Sequence, residues 1–392
     1  MYQSRTINAV LRQALAGFPA ILLTGPRQSG KTTLLRHEAG DDVAYVTFDD
    51  PLERDFASSD PQGFLRQFAH QPVILDEIQY VPSLLSHIKM HIDREPDRCG
   101  RWLLTGSQQF GLMKDVSESL AGRIAILELP PFSQIECPRN DLAQTLWDGS
   151  YPIPALFPDR RDLWITSYIS TYIERDVRQI RNIPDLRVFN QFLNLVAARH
   201  GQIFNQTEIS REIGVAVPTI KSWSGVLEAS YVAHMLAPWF QNYGKRITKT
   251  PKCYFYDSAL ANALTRQPHA QSALAGPMGG ALLEGWVVTE AAKVFMSLGK
   301  KPELYFWRSH DGLEVDLLIS IAGKLHPVEI KLTSTPTRGH LGPLNRFIEL
   351  AGQDAAKHGT LVCQTETIKA LPGGHTAMPW QTFTQWLFDQ LR

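Results

Sequence analysis

The sequence predicts an α/β protein in which a parallel sheet flanked by helices is followed by helical and further α/β segments. Three observations support this prediction. An apolar run at residues 20–25 (AILLTG) enters a glycine-containing loop, and residues 31–39 then have helical spacing. Further strand-like runs occupy residues 43–50, 72–75, 101–110 and 124–129. With 392 residues, 44% of them hydrophobic, the chain is long enough for two or three globular domains.

Composition excludes several classes of protein. Lys plus Arg and Asp plus Glu both total 39, so net charge does not indicate a polyanionic partner, although basic residues outnumber acidic ones over residues 160–252. Four widely spaced cysteines argue against a disulfide scaffold or a zinc site. Because the chain has no apolar run of about 18 residues and begins with an amphipathic helix pattern, we expect a cytoplasmic protein with no membrane partner.

The loop after the first strand carries the strongest motif. It reads GPRQSGKT, the G-x-x-x-x-G-K-T pattern in its expected strand-to-helix context. In this pattern backbone N–H groups surround the β-phosphate, the lysine reaches the β and γ oxygens, and the threonine hydroxyl ligates Mg²⁺. The sequence therefore predicts a P-loop NTPase that binds ATP and Mg²⁺ through Gly25, Pro26, Arg27, Gln28, Ser29, Gly30, Lys31, Thr32 and Thr33.

Two acidic residues follow the strand at 72–75. The carboxyl end of that strand would place Asp76 and Glu77 beside the phosphate loop. We expect Asp76 to hold Mg²⁺, directly or through water, and Glu77 to act as general base toward the attacking water. In isolation two acids after a strand are often a solvated turn, but the preceding phosphate loop favours the catalytic interpretation.

An extra strand between the phosphate-loop strand and the acidic strand, together with Glu77, resembles the additional-strand, catalytic-glutamate NTPases, of which the AAA+ group is the largest. The resemblance implies that Ser107 is a sensor orienting the water and that Arg123 is an arginine finger for a neighbouring subunit's nucleotide. It therefore implies a homo-oligomer, such as a hexamer. The alternatives are a helix N-cap for Ser107 and a surface arginine for Arg123.

The middle of the chain begins with a helical lid or connector, predicted at residues 151–200 from three- and four-residue apolar spacing. Its segment YIERDV, at residues 172–177, resembles a motif of bacterial and archaeal ATPases that pair this kind of ATPase domain with a C-terminal DUF4143 domain. The order of motifs along the whole chain is also similar to that family.

Residues 201–258 show a helix-turn-helix pattern, with helices at 206–213 and 218–229, followed by strand-like runs at 231–236 and 247–256. A hairpin after the second helix predicts a winged helix that binds DNA. The expected nucleic-acid contacts are Thr219, Lys221 and Ser222 in a major groove, and Lys245, Arg246 and Lys249 on backbone phosphates. The alternative is a protein-binding or connecting winged helix.

The C-terminal region, residues 275–392, places acids on neighbouring strands at 313–319 and 326–332. Glu329 and Lys331 share one strand face, and Asp316 on the paired strand can meet them there. Two acids and a lysine could bind a divalent metal and activate water for phosphodiester cleavage, and Glu284 on a preceding helix could complete the metal site. The alternative is a solvated hairpin face with an ordinary ion pair. The order Glu, Asp, Glu-x-Lys resembles PD-(D/E)xK nucleases.

We thus predict an α/β chain with an AAA+-like P-loop NTPase domain over residues 1–150, a lid or connector over 151–200, a winged helix-turn-helix over 201–258, and a restriction-endonuclease-like α/β domain over 275–392. The leading hypothesis is a Mg²⁺-dependent ATPase coupled to a DNA-binding, DNA-cleaving C-terminal region. The alternative is a signalling ATPase switch whose C-terminal domain binds protein and has no nuclease activity.

Overall fold

The computed structural model describes residues 2–40, 42–106, 115–116, 118–173, 185–240 and 249–392. The predicted residues Ser107, Lys245 and Arg246, and most of the YIERDV segment, lie outside these ranges. The chain forms two compact units. The first contains Met1–Pro131, Ala229–Tyr231 and Met296–Lys300, and the second contains Phe132–Glu228, Val232–Phe295 and Lys301–Arg392.

The first unit alternates strands and helices. Its strands are β1 Ala20–Thr24, β2 Ala44–Thr47, β3 Val73–Asp76, β4 Trp102–Gly106 and β5 Ile124–Glu128. Its helices are α1 Asn8–Gly17, α2 Lys31–Ala39, α3 Pro51–Ser59, α4 Pro61–Arg66 and α5 Leu84–Arg94.

These strands form one sheet in the order β2-β3-β4-β1-β5, and every pairing is parallel. The predicted parallel sheet is therefore confirmed, and β4 is the strand between β1 and β3. Strands β1, β3 and β4 are buried along their length, as expected where helices cover both faces. Because their carboxyl ends lie at the same edge, the residues that follow β1 and β3 are brought together.

The described helices after residue 131 are α6 Leu142–Asp148, α7 Pro152–Leu156, α8 Arg161–Tyr168, α9 Leu186–Ala198, α10 Gln206–Ile213, α11 Val217–Ala229, α12 Ser258–Leu264, α13 Ala270–Ala275, α14 Gly279–Ser297, α15 Gly342–Ala351 and α16 Trp380–Leu391. The strands are β6 Ala233–Pro238, β7 Lys252–Phe255, β8 Leu304–Arg308, β9 Glu314–Ile321, β10 Lys324–Ile330, β11 Thr360–Cys363, β12 Lys369–Ala370 and β13 Thr376–Pro379. None of the helices in the described ranges is long and apolar enough to cross a membrane.

A single eight-stranded sheet organises the second unit, in the order β12-β13-β11-β10-β9-β8-β6-β7. The hairpin of β6 and β7 is antiparallel, and β6 pairs in parallel with β8. Residues 201–258 and 275–392, predicted as separate domains, thus contribute strands to the same sheet.

The N-terminal segment of the first unit runs to Pro131, and the ATPase domain was predicted to extend to residue 150. The segment from residue 132 to residue 150 forms hydrogen bonds with helix α12 and with Asp257, the residue before that helix. The hydroxyl of Ser150 donates to Asp257 at 3.0 Å, and the amide of Asn262 donates to the Leu146 carbonyl at 2.9 Å. These contacts place residues 142–156 within the second unit.

Candidate functional site

The loop between β1 and α2 begins at Gly25 and ends at Gly30, and both glycines have a positive φ angle. Gly25 has φ 142°, and a Cβ atom there would lie 2.3 Å from the Leu129 carbonyl oxygen. Gly30 has φ 95° and is the N-cap of α2. Only glycine adopts both conformations without strain. Between them Pro26 is buried, Arg27 half-buried and Gln28 exposed, while Thr33 is exposed on the first turn of α2.

Lys31 points back into this loop. Its Nζ donates to the carbonyl oxygens of Gly25 at 3.1 Å and Pro26 at 2.9 Å, and the residue is only 6% exposed. Burial lowers the pKa of Lys31 to about 8, although the carboxylates of Glu77 and Asp76 act in the opposite direction. The ammonium is therefore desolvated, and among the described residues its hydrogen-bond acceptors are both backbone carbonyls, an arrangement that favours an anion in the loop.

Asp76, the last residue of β3, is held by three hydroxyl groups. Thr32 Oγ1 lies 3.0 Å from each carboxylate oxygen, Tyr45 donates at 2.9 Å, and Thr105 Oγ1 donates to Oδ1. Burial and the neighbouring Asp76 carboxylate raise the pKa of Tyr45 to about 12. These contacts fix the carboxylate beside the first turn of α2, which contains Lys31 and Thr32.

Glu77 follows β3 in left-handed backbone, with φ 57°. A non-glycine residue in this conformation is uncommon and carries a cost in free energy. The backbone N–H of Glu77 donates to Thr105 Oγ1 at 3.2 Å, and its side chain accepts from Gln79 Nε2. The carboxylates of Asp76 and Glu77 have different hydrogen-bond partners, so the two can serve different roles.

Three residues of this site were not predicted from the sequence. Thr105 on β4 and Tyr45 on β2 reach Asp76 from neighbouring strands, which only the strand order reveals. Arg5 is buried and donates to the Ser29 carbonyl at 2.9 Å and the Pro130 carbonyl at 2.6 Å, so it supports the loop from behind. The only local sequence feature that could have indicated a role for Thr105 is its position near the end of a strand that is followed by polar residues.

The residues present fit a magnesium nucleotide. The Ser29 hydroxyl is fully buried in the loop and has no hydrogen-bond partner among the described residues, so it can donate to a phosphate oxygen. The Thr32 hydroxyl and the Asp76 carboxylate, already in contact, supply the oxygen ligands that Mg²⁺ prefers.

Arg123 lies just before β5 and is partly exposed. Its Nε donates to Asp93 Oδ1 on α5 at 2.6 Å, and its guanidinium also donates to the Ala121 carbonyl. Within its own unit Arg123 is thus held by a surface ion pair. This arrangement is compatible with either interpretation of Arg123, a surface arginine or a finger that serves a neighbouring subunit.

The second unit brings together three carboxylates. Glu284 on α14, and Glu314 and Asp316 on β9, each offer an oxygen atom within 4.8 Å of the other two. We call these three residues the carboxylate cluster. Glu314 was not predicted, although its spacing of two residues from Asp316 on a strand places both on one face.

Lys331 connects the cluster to Glu329. Its Nζ lies 3.0 Å from Asp316 Oδ2 and 2.6 Å from Glu329 Oε1, and the Ile330 N–H also donates to Asp316. Glu329 is 3% exposed, and its Oε2 atom has no hydrogen-bond partner in the described part of the chain. Burial, with the Asp316 carboxylate adding to it, raises the pKa of Glu329 to about 8. Lys331, the residue after β10, therefore contacts both predicted acids, Asp316 and Glu329.

Strand β7 contributes two further residues to this region. Lys252 Nζ lies 2.8 Å from Glu284 Oε1 and also contacts Glu314, while the Tyr254 hydroxyl donates to Glu284. Burial opposes the charge on Lys252, but Glu284, Glu314 and Asp316 outweigh it and raise the pKa of Lys252. Sequence reasoning treated this strand only as part of a wing.

Two helices, α10 and α11, occupy the segment in which a helix-turn-helix was predicted, and Gly214 between them has left-handed backbone. The buried face of α11 packs through Trp223 against Phe189 and Phe192 of α9. Of the predicted nucleic-acid residues, Lys221 and Lys249 are exposed, while Thr219 and Ser222 are half-buried.

Comparison with known proteins assigns three consecutive segments. Residues 17–137 match the family model of an AAA domain, residues 139–271 that of a domain of unknown function, DUF8612, and residues 279–383 that of DUF4143. The predicted AAA and DUF4143 domains are confirmed. The separate model for the middle segment was not anticipated from the sequence.

Two curated relatives are similar over most of the chain. Uncharacterized protein Rv2008c of Mycobacterium tuberculosis and uncharacterized protein Mb2031c of Mycobacterium bovis are each 33% identical over 341 residues, which cover 86% of this chain and 76% of the relative. Among solved structures, the Walker-type ATPase PABY2304 of Pyrococcus abyssi aligns with 66% of this chain and 94% of its own, at 17% identity and a TM-score of 0.46.

Proposed function

The chain belongs to the family of the mycobacterial proteins Rv2008c and Mb2031c, and we propose that its AAA domain binds ATP and hydrolyses it with Mg²⁺. The observation that carries the proposal is the direct contact of Thr32 with Asp76 beside the buried Lys31. A hydroxyl, a carboxylate and an ammonium at the end of a parallel sheet are the groups that phosphoryl transfer from a nucleoside triphosphate requires.

Binding of ATP begins at the phosphate loop. Lys31 exchanges its carbonyl acceptors for the β and γ oxygens, and Ser29 and the loop N–H groups donate to the remaining oxygens. Thr32 and Asp76 would hold the Mg²⁺, which would supply positive charge to the phosphate oxygens.

Glu77 then accepts a proton from the attacking water. This role is supported by the position of Glu77 directly after Asp76 and by its left-handed backbone at the end of β3. Ser107 orients the same water, and Arg123 of a neighbouring subunit stabilises the charge that develops on the phosphoryl group. Efficient hydrolysis by this route requires a homo-oligomer, with a hexamer as one arrangement.

A second function is supported by the carboxylate cluster. We propose that it binds a divalent cation and cleaves phosphodiesters of DNA. The observation behind this proposal is that Glu329 Oε2, buried near three converging carboxylates, has no hydrogen-bond partner in the described part of the chain. Glu284, Glu314 and Asp316 would hold the cation, which would activate a water molecule, and Lys331 steadies the developing charge. The exposed Lys221 of α11 enters a major groove of the DNA, and the exposed Lys249 binds backbone phosphates.

One experiment tests both functions. ATP hydrolysis with Mg²⁺ is measured for wild type, Lys31→Ala and the control Lys89→Ala, with and without linear, single-stranded and branched DNA. The same DNA is examined for cleavage by wild type, Asp316→Ala and the control Asp311→Asn. Loss of turnover only in Lys31→Ala supports the ATPase.

The DNA results separate the two roles of the C-terminal region. Cleavage that is lost only in Asp316→Ala supports the nuclease. If no DNA changes the rate of ATP hydrolysis and no DNA is cleaved, the result would instead favour a signalling switch whose C-terminal region binds protein. A DNA-dependent activity should also fall steeply as salt concentration rises.

A further inference from the structure

Lys252 is a buried lysine at the start of β7. It is 4% exposed, and its Nζ lies 2.8 Å from Glu284 Oε1 and in contact with Glu314. An ammonium group is stable at such a position only when carboxylates neutralise it. Two of the three residues of the carboxylate cluster provide that neutralisation.

The position of the ammonium coincides with the region that a metal ion would need. A divalent cation coordinated by oxygen lies about 2.0–2.6 Å from each ligand atom. Because Lys252 Nζ is already 2.8 Å from Glu284 Oε1, a cation on that oxygen would lie close to the ammonium. Like charges at that separation, away from water, repel strongly.

We infer that Lys252 is the resident cation of the carboxylate cluster and that a divalent cation binds there only by displacing its ammonium. The inference rests on the proposed metal-binding function of the same cluster. According to this inference, the ammonium of Lys252 and the metal ion compete for the same carboxylates. The affinity for the metal therefore depends on the strength of the ion pairs that Lys252 forms with Glu284 and Glu314.

A second observation points to an incoming cation. Glu329 lies beside the cluster, and its Oε1 is taken by Lys331 while its Oε2 has no hydrogen-bond partner among the described residues. A buried carboxylate oxygen without a partner is costly. Because the charges of Asp316 and Glu284 both act on Glu329, a divalent cation bound to those two carboxylates would add positive charge near this buried residue.

Lys331 offers a matched comparison. It belongs to the same region, yet it contacts Asp316 and Glu329, and its side chain is 37% exposed. Removing either lysine subtracts one positive charge from the surroundings of the cluster. Only removal of Lys252 clears the position against Glu284 and Glu314.

The first test measures binding of Mn²⁺ without nucleotide, in an Asp76→Asn background that removes the proposed metal ligand of the AAA domain. Free Mn²⁺ is quantified by electron paramagnetic resonance for this background, with Lys252→Met and with Lys331→Met. We expect Lys252→Met to bind at least about tenfold more tightly, and Lys331→Met to change much less. Equal gains in both variants, or weaker binding in Lys252→Met, would overturn the inference.

A second test needs no substitution at Lys252. A water-soluble amine-acylating reagent is applied with and without saturating Mn²⁺, and labelling of Lys252 is quantified by mass spectrometry. Lys293, buried in an ion pair with Glu290 at 2.8 Å, is the internal control. We expect Mn²⁺ to raise the labelling of Lys252 and not of Lys293, and this result decides the question if Lys252→Met fails to fold.

The outcomes separate the inference from the function on which it rests. If Mn²⁺ binds while Lys252 stays protected, displacement is wrong and metal binding stands. If Mn²⁺ binds neither the Asp76→Asn protein nor its Lys252→Met variant, both are wrong.

Discussion

Thr32 and Asp76 are in direct contact, with the threonine hydroxyl 3.0 Å from each oxygen of the carboxylate. The contact joins the first turn of α2 to the end of β3. Because both side chains carry oxygen ligands, a magnesium ion between them would replace this hydrogen bond and leave the backbone in place.

The Thr32 hydroxyl is expected to set the requirement for Mg²⁺. Thr32→Ala should raise the Mg²⁺ concentration that gives half-maximal ATP hydrolysis by about 10-fold or more, since one oxygen ligand is lost. Thr32→Ser keeps the hydroxyl and should stay near wild type. An unchanged Mg²⁺ dependence in Thr32→Ala would remove this residue from the metal site.

Glu77 is expected to act on the chemical step. Glu77→Gln should retain ATP, measured with a fluorescent nucleotide, and lose about 10²–10⁴-fold in single-turnover hydrolysis, because the amide cannot accept the proton of water. The control Glu53→Gln alters a carboxylate on α3 and should hydrolyse ATP normally. Full turnover by Glu77→Gln would show that another group is the base.

The lowered pKa of Lys31 predicts a pH effect on nucleotide binding. With a pKa of about 8 in the nucleotide-free protein, part of the Lys31 population is neutral at higher pH, and phosphate oxygens favour its charged form. ATP binding should therefore take up protons at pH 8.5 and less so at pH 7. Calorimetry in two buffers of different ionisation enthalpy measures this uptake; identical heats at pH 8.5 would contradict it.

The proposed catalytic role of Arg123 can be distinguished from a structural role of its ion pair with Asp93. Arg123→Ala should lower turnover and leave ATP binding intact, and mixing it with Glu77→Gln subunits should restore turnover by pairing an intact arginine with an intact glutamate. Asp93→Ala breaks the same ion pair but keeps the guanidinium, so it should hydrolyse ATP normally. Equal losses in Arg123→Ala and Asp93→Ala would mean that the pair is structural.

Glu314 is expected to be a metal ligand of the carboxylate cluster. In the Asp76→Asn background, Glu314→Gln should weaken Mn²⁺ binding by about 10–100-fold, since one of three converging carboxylates becomes neutral. Glu303→Gln, at an exposed position before β8, is the control and should bind Mn²⁺ as the background protein does. Equal affinities in both variants would exclude Glu314 from the site.

Local sequence information was enough for the phosphate loop, the acidic pair after β3 and the parallel sheet, because each depends on spacing within a short segment. It was also enough to place Glu329 and Lys331 on one face with Asp316. Tyr45 and Thr105 could not be predicted, since they reach Asp76 only through the strand order. Lys252 meets Glu284 across 32 residues of sequence, which no local pattern encodes.

The parallel pairing of β6 with β8 also decides where this chain can be divided for laboratory work. A truncated fragment that begins at residue 275 would lose β6 and β7 and leave the edge of β8 uncovered. An uncovered edge invites association between chains. It would also lack Lys252 and Tyr254, leaving Glu284 without two of its partners. Insolubility of such a fragment would therefore reflect a cut through a sheet and carry no information about the intact protein.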